Sequence, residues 1–321
     1  MTKALITFGC SWTYGVGVNY DKSMQCNPET WKIDAWDESI CNQLSFRGIL
    51  SQRYGFKNIN FSEGGSSNQR QFRLAKTFFN SKEFQYLQNN GTEIVVVWGI
   101  TSTARNETYM YELNQVKNLM YSSADERWLR PSEQQICKFL AKNVYSHEHE
   151  LFMLAHEMVH WNTFFKSLDI KNYWYDTFNH HDYTINSPAL LEFKNEYIKC
   201  ADINWPSWQE YVDKKSPIDG EVGNEILNTS KFEFAQFVNT LEITNFVINL
   251  PQDRDLMSQL VIRRGCDQFD RNYHHSHWDI DSDRVQFLIG QDLLNPFSKH
   301  PTKLGHEQIA NMFDHLFEKT S

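Results

Sequence analysis

The sequence predicts an α/β fold in which helices cover both faces of a parallel sheet. Three short apolar segments, KALITFG, FKNINF and EIVVVWG, have the length and the continuous apolar character of buried strands. The segments between them space their apolar residues three and four positions apart, which is typical of helices. Strands that alternate with helices along the chain indicate parallel pairing.

The predicted elements of the first third occur in this order: strand 3–9, helix 41–55, strand 56–61, helix 66–80 and strand 93–99. Gly55 stands where the first of these helices should end, and Ser66 and Ser67 are the candidate N-caps of the second. The strand at 93–99 gives the clearest signal, because three consecutive valines precede its closing glycine.

Further along the chain, residues 148–168 are predicted to form a strongly periodic helix, and 170–178 the next strand. The pattern then weakens, and we interpret 180–290 as an insertion or lid within a single domain that spans 1–321. One further strand is predicted at 245–251 inside that insertion. The chain closes with an amphipathic helix that has Pro301 near its first turn.

Composition restricts the class of protein. The net charge of −9 argues against a nucleic-acid partner, since phosphate contacts require clustered lysine and arginine. The six cysteines form no CxxC pair, which argues against a zinc ribbon or a thioredoxin-type site. Without a secretory signal or an apolar run of membrane-spanning length, we expect a soluble cytoplasmic protein with no membrane partner. The sequence does not indicate the oligomeric state.

Small residues follow three of the predicted strands. Ser11 comes shortly after the first strand, Gly65 after the second, and Gly99 closes the third. Ligands of parallel α/β sheets bind at the carboxyl ends of the strands. We therefore expect these three residues to lie along one edge of the sheet.

The same positions carry four short motifs: GCSWT (9–13), Asn60 followed by Gly65, GITS (99–102), and His300 followed by proline at the start of the last helix. In this order they resemble the four blocks of the SGNH, or GDSL-type, hydrolase superfamily. That resemblance covers roughly 1–105, 148–178 and 290–321. It implies a three-layer α/β/α sandwich of flavodoxin-like topology, with large insertions in this chain.

The resemblance also implies a function, serine ester hydrolysis on a small-molecule or carbohydrate ester, with no cofactor and no metal. Ser11 would be the nucleophile and His300 its general base. The backbone N–H groups of Ser11 and Gly65, with the Thr101 hydroxyl, would hold the oxyanion. Each residue also has a structural interpretation: Ser11 and Thr101 as helix caps, Gly65 as a turn glycine, and His300 as a surface histidine.

The chain departs from the family pattern at three positions. Cys10 replaces the aspartate of the first block, and Thr101 replaces the asparagine of the third. The aspartate usually found three residues before the catalytic histidine is absent, since Phe297 stands there. Asp292 is the nearest upstream carboxylate and the candidate orienting acid. These changes support an alternative function, an inactive SGNH-like module retained for binding.

HEMVH (156–160) matches the HExxH signature of zinc proteases. Helical periodicity places His156 and His160 together but almost opposite Met158, which belongs to the apolar stripe. We therefore expect both histidines to face away from the core, where a catalytic zinc would lack an enclosed cleft and a third ligand. A zinc hydrolase that uses His156, Glu157 and His160 is the more distant alternative.

Overall fold

A computed structural model describes residues 2–20, 37–110, 113–120, 130–145, 147–177, 283–296 and 299–317. Its centre is a four-stranded parallel sheet flanked by helices, and the α/β class is therefore confirmed. The strands are β1 (Lys3–Phe8), β2 (Lys57–Asn60), β3 (Glu93–Ile100) and β6 (Lys171–Asp176). Their order across the sheet is β2-β1-β3-β6, with Phe8 paired to Trp98 at the carboxyl end of the central pair.

Side chains alternate across the sheet and divide the core in two. Ile6, Phe8 and Trp98 pack with α4 (Asn68–Phe79), α5 (Lys82–Asn89) and α7 (His147–Ser167). Leu5 and Val97 belong to a second cluster with α3 (Phe46–Tyr54), α8 (Asp283–Gly290) and α9 (Lys303–Phe317). Because neighbouring strand residues point to opposite faces, a continuous apolar strand fills both clusters.

A β-hairpin follows β3, and the sequence did not predict it. Its strands are β4 (Arg105–Met110) and β5 (Gln115–Met120), which pair antiparallel. Cys137 of α6 (Pro131–Asn143) packs against the apolar side chains of Met110 and Leu119. The hairpin is joined to α4, where the Ser67 hydroxyl donates to Asn118 Oδ1 over 2.8 Å.

Two of the predicted helix boundaries need correction. The single helix predicted at 41–55 is wrong, because the chain forms α2 (Glu38–Leu44) and then α3, separated by Ser45. Ser45 has extended backbone angles and its hydroxyl accepts from the Gly48 N–H, so it ends one helix and caps the next. The last helix begins at Lys303, after Pro301, and the Thr302 hydroxyl accepts from the Gly305 N–H.

Other boundaries agree with the sequence. Gly55 ends α3 in the left-handed conformation, and the Ser67 hydroxyl caps α4 by accepting from the Arg70 N–H. The strand predicted at 245–251 lies outside the described residues, as does the insertion at 180–290 apart from 283–290. None of the helices in the described ranges combines the length and the apolar character that crossing a bilayer requires.

Candidate active site

Ser11 and Thr101 lie at the carboxyl ends of the two central strands. Ser11 is the first residue of α1 (Ser11–Tyr14), a single turn that begins just after β1. Thr101 follows the last residue of β3 directly. Both side chains are buried, and Ser11 retains 6% of its exposure. Because β1 and β3 pair in parallel, the first and third motifs lie at the same edge of the sheet, as expected.

Two glycines are required beneath this edge because hydroxyl groups occupy the space that a Cβ would need. A Cβ on Gly9 would overlap the Thr13 side chain. A Cβ on Gly99 would lie 2.5 Å from both Thr13 Oγ1 and Tyr175 Oη. Those two hydroxyls share a buried hydrogen bond of 2.6 Å. The glycines and the threonine of the motifs therefore form one packed unit that fixes the turn carrying Ser11.

Arg47 holds the other end of that turn. Its Nε donates to the Thr13 carbonyl over 3.1 Å, and its Nη2 donates to the Tyr14 carbonyl over 2.9 Å. Nη1 donates to Asn42 Oδ1 over 2.7 Å, which connects α1 to α2. Burial lowers the pKa of Arg47 to about 10, so the guanidinium remains charged at neutral pH.

Arg105, the first residue of the hairpin, brings a positive charge to the site. Its Nη1 donates to Thr101 Oγ1 over 3.1 Å, and its side chain also hydrogen-bonds Cys10, the neighbour of Ser11. Burial lowers the pKa of Arg105, with Cys10 opposing the shift. Sequence reasoning missed this residue, because a lone arginine in the polar segment RNETYM carries no motif.

Asn68, at the start of α4, fixes the backbone of Thr101. Its Oδ1 accepts from the Thr101 N–H over 3.0 Å, and its Nδ2 donates to the Thr101 carbonyl over 2.9 Å. Gln71, one turn later, donates to the Gly99 carbonyl over 3.1 Å. The loop after β3 is therefore held by side chains of α4, a relationship that no local pattern in the sequence indicates.

Gly65 lies in a turn beside the end of β1. The Ser66 N–H donates to the Glu63 carbonyl, and the Glu63 N–H donates to the Gly9 carbonyl. Gly65 has a φ of +72°, which favours glycine, and among the described residues, its chain neighbours aside, no atom lies within 4 Å of a Cβ placed there. Asn60 has a structural role, because its Oδ1 accepts from the Thr7 hydroxyl and the Ser62 N–H.

His300 reaches the same region through Gly17. A Cβ placed on Gly17 would lie 3.0 Å from the Cβ of His300, so the histidine packs against the segment that follows α1. His300 is half-buried, and its carbonyl accepts from the Asn295 N–H over 2.8 Å. Within the described part of the chain, the Ser11 hydroxyl makes no hydrogen bond to His300.

Asp292, the candidate orienting acid, has a φ of +60° and a carbonyl that accepts from the Thr302 hydroxyl over 2.5 Å. These contacts establish a backbone role at the end of α8. Its role toward His300 remains a prediction. Phe297, which replaces the expected aspartate, lies outside the described residues.

His306, on α9, is a second histidine near the site, and no motif in the sequence selects it. It is completely buried, and its Nδ1 accepts from the Phe46 N–H over 3.3 Å. Burial, with smaller contributions from the charges of Arg47 and His300, lowers its pKa to about 3. His306 is therefore neutral at physiological pH.

The HEMVH segment lies on α7 as its periodicity predicts. Met158 is buried, whereas His156 and His160 are exposed. Glu157 forms an ion pair with Lys76, with Oε1 at 2.8 Å from Nζ. No group of three or more histidine, cysteine, aspartate or glutamate side chains in the described ranges could hold a metal ion.

A pocket of about 720 Å³ lies between α4, the start of the hairpin and α7. Asn68 and Arg105, the two residues that contact Thr101, form part of its lining. Glu157 contributes from the opposite side. The candidate active site and the pocket therefore share walls.

Comparison with known proteins gives no independent assignment: no family model matches the chain, and no curated protein or solved structure matches it either.

Proposed function

We propose that this chain is a serine ester hydrolase of SGNH type, built on a flavodoxin-like three-layer α/β/α sandwich, with Ser11 as nucleophile and His300 as general base. The observation that carries the proposal is the placement of Ser11. It stands on a one-turn helix at the carboxyl edge of a parallel sheet, the edge that also carries Thr101, and that turn is fixed by Gly9, Thr13 and Arg47.

The proposed reaction is acyl transfer to serine and then to water. His300 accepts the proton of the Ser11 hydroxyl as its oxygen attacks the ester carbonyl, and the protonated imidazole then protonates the departing alcohol. A water molecule hydrolyses the acyl-enzyme in the same way. The tetrahedral oxyanion is stabilised by the N–H groups of Ser11 and Gly65 and by the Thr101 hydroxyl.

The contact with Arg105 suits Thr101 to the oxyanion role that asparagine has in the family pattern. Thr101 Oγ1 accepts a hydrogen bond from Arg105, so the proton of the hydroxyl is directed elsewhere. A cationic donor on that oxygen makes the hydroxyl a stronger donor to an oxyanion. Removal of one such donor typically reduces the rate by about 10²–10³-fold.

His300 must come within hydrogen-bonding reach of Ser11 for the reaction to proceed. Catalytic hydrogen bonds are often long before substrate binds and shorten in the reactive complex. Asp292 is the proposed partner that orients the imidazole, by analogy with the aspartate of the family. The proposed substrate is a small-molecule or carbohydrate ester, and the proposed location is the cytoplasm.

Intact mass after incubation with a fluorophosphonate probe tests this proposal. We expect one adduct on Ser11 in the wild-type protein and none in Ser11→Ala or His300→Ala. Ser167→Ala, which removes an exposed hydroxyl at the far end of α7, is the matched control and should label normally. A folded wild-type protein that forms no adduct would refute the esterase.

Two substitutions favour the alternative function, an inactive module that binds a ligand. Thr101 stands where the family pattern has asparagine, and Phe297 stands where it has the aspartate that orients the histidine. The module predicts a folded protein without adduct or ester turnover. A zinc hydrolase is the least supported candidate, since His156 and His160 are exposed and Glu157 is paired with Lys76.

A further inference from the structure

The pocket between α4 and α7 is lined by two side chains with a buried polar atom that has no hydrogen-bond partner among the described residues. Asn106 is only 3% exposed, and no group in the described part of the chain pairs with its Nδ2. Glu157 uses Oε1 in its ion pair with Lys76, but its Oε2 is buried and likewise lacks a partner within the described ranges. Both residues line the pocket. Buried donors and acceptors are nearly always paired in folded proteins, with protein groups, water or a ligand, so two such atoms on one pocket are candidates to pair with a ligand.

One of the two atoms donates hydrogen bonds and the other accepts them, and this restricts the chemical class of the ligand. Asn106 Nδ2 is a donor, whereas Glu157 Oε2 is an acceptor. A hydroxyl group both donates and accepts, and it can therefore satisfy either of them. Because both atoms are buried, each side chain must rotate about its last bond, a broad torsion, to meet a ligand in the pocket.

The remaining lining argues against an anionic or a purely apolar ligand. Glu150 and Glu157 would repel an anion, and two of the cations in the lining already bind carboxylates. Arg73 makes two hydrogen bonds to Glu107, of 2.6 and 2.9 Å, and Lys76 binds Glu157. Phe72, Met153 and Leu154 supply an apolar patch, and the other lining residues are polar or charged.

We propose that this pocket binds a polyhydroxylated ligand, a mono- or disaccharide, with Asn106 and Glu157 as its hydroxyl partners. Met153, which is 42% exposed, provides apolar surface for the C–H face of a sugar ring. A volume of about 720 Å³ lies within the range typical of small-molecule sites, roughly 300–1,000 Å³. This proposal gives Glu157 of the HEMVH segment a role other than metal chemistry.

The shared walls connect this site to Ser11. Asn68 and Arg105 border the pocket and hold the backbone and the hydroxyl of Thr101. A sugar bound there would lie against the two residues that hold Thr101, and the ester to be cleaved would be one carried by that sugar. This link rests on the proposed function, whereas binding of the sugar itself does not.

Saturation-transfer NMR on the wild-type protein with unesterified glucose, xylose, N-acetylglucosamine, cellobiose and xylobiose tests the binding. Succinate serves as the anionic comparison. We expect at least one sugar to bind, and its affinity to fall about tenfold in Asn106→Ala and in Glu157→Ala, the effect of losing one good hydrogen bond. The matched controls Asn89→Ala and Glu83→Ala alter exposed residues of α5 and should bind normally.

Two further measurements make the result decisive. Met153→Ala changes an exposed position and should also weaken binding, so the pocket can be tested even if Asn106→Ala fails to fold. The proposal is overturned if none of the sugars binds, if binding survives all three pocket variants, or if succinate binds in their place. Fluorophosphonate labelling is measured separately, so loss of the sugar site and loss of the esterase are distinguishable outcomes.

Discussion

His306 shows how a buried residue can determine the pH range in which this fold is stable. Its Nδ1 accepts from the Phe46 N–H, so the single proton of the neutral ring lies on Nε2. Protonation of Nδ1 would break that hydrogen bond and place a charge beside Arg47 without solvent. Burial accordingly lowers the pKa of His306 to about 3 in the folded protein.

We predict that His306 makes the protein less stable as the pH falls from about 6.5 toward 3. The unfolded chain takes up a proton below its ordinary histidine pKa of about 6.5, whereas the folded chain does not, and acid therefore favours unfolding. At pH 5 the loss attributable to this residue is about 2 kcal/mol relative to pH 8. Urea denaturation at both pH values measures it.

The informative comparison is with His306→Asn, whose Oδ1 occupies nearly the position of Nδ1 and can still accept from Phe46. Carboxylates titrate equally in both proteins, so the difference between the two pH dependences isolates the histidine. Equal losses of stability in wild type and His306→Asn would contradict the prediction.

Residues that belong to a motif could be selected from the sequence, whereas residues that act through long-range contacts could not. Thr101 directly follows an apolar strand and Ser11 comes three residues after another, and parallel strands bring such positions to one edge. Arg105 and Asn68 meet Thr101 only because the hairpin and α4 fold back onto the loop after β3. The spacing of these residues along the sequence does not predict either contact.

At the scale of the element, α1 cannot be stable by itself. It has four residues, and isolated helices need about 12–15 residues to be even marginally stable in water. Tertiary contacts replace the missing length: Arg47 binds the Thr13 and Tyr14 carbonyls, and the Cys41 thiol donates to the Gly15 carbonyl over 3.4 Å. The position of Ser11 therefore depends on α2 and α3.

We predict that Arg47→Met destabilises the protein by roughly 2–4 kcal/mol and reduces labelling of Ser11. The substitution removes the hydrogen bonds from Arg47 to the Thr13 carbonyl, the Tyr14 carbonyl and Asn42 Oδ1, and each hydrogen bond from a charged group contributes about 1.5–3 kcal/mol. Part of that loss is offset because the charge no longer has to be buried. Urea denaturation and the rate of fluorophosphonate labelling measure the two effects.

Arg53→Met is the matched control, because Arg53 pairs with Asp314 at a partly exposed site on the same helix. Surface pairs of this kind contribute about 0–1 kcal/mol, so the control should retain both stability and labelling. If the two variants behaved alike, Arg47 would not be the residue that fixes α1.

The strands of the sheet could be predicted from the sequence and those of the hairpin could not, because only the former are continuously apolar. Buried parallel strands such as EIVVVWG are continuously apolar and stand out in any window. The hairpin strands RNETYM and QVKNLM mix charged and apolar residues without alternation, and the sequence pattern therefore does not predict them. The break at Ser45 was hidden because apolar residues keep their helical spacing across it.

At the scale of the whole molecule, the two ends of the described chain form one core. Ile309, Phe313 and Phe317 of α9 share a cluster with Leu5 of β1 and Phe46 of α3. The Phe313 ring packs edge-on against Phe46 at 5.4 Å and also against Tyr175 at 5.2 Å. The segment that carries His300 is thereby anchored to the sheet that carries Ser11.

We predict that Phe313→Ala destabilises the protein by about 3–5 kcal/mol, the usual result of removing a buried aromatic ring. Phe139→Ala, at a position 60% exposed on α6, is the matched control and should change stability by less than about 0.5 kcal/mol. Urea denaturation measures both. A loss below 1 kcal/mol for Phe313→Ala would mean that α9 does not complete this core, and the placement of His300 beside Gly17 would then lose its support. We expect the variant to lose about 3–5 kcal/mol of stability but still to form the adduct on Ser11 at temperatures where it is folded. That result would show that α9 supports the site by packing in the core and not by direct contact of Phe313 with Ser11.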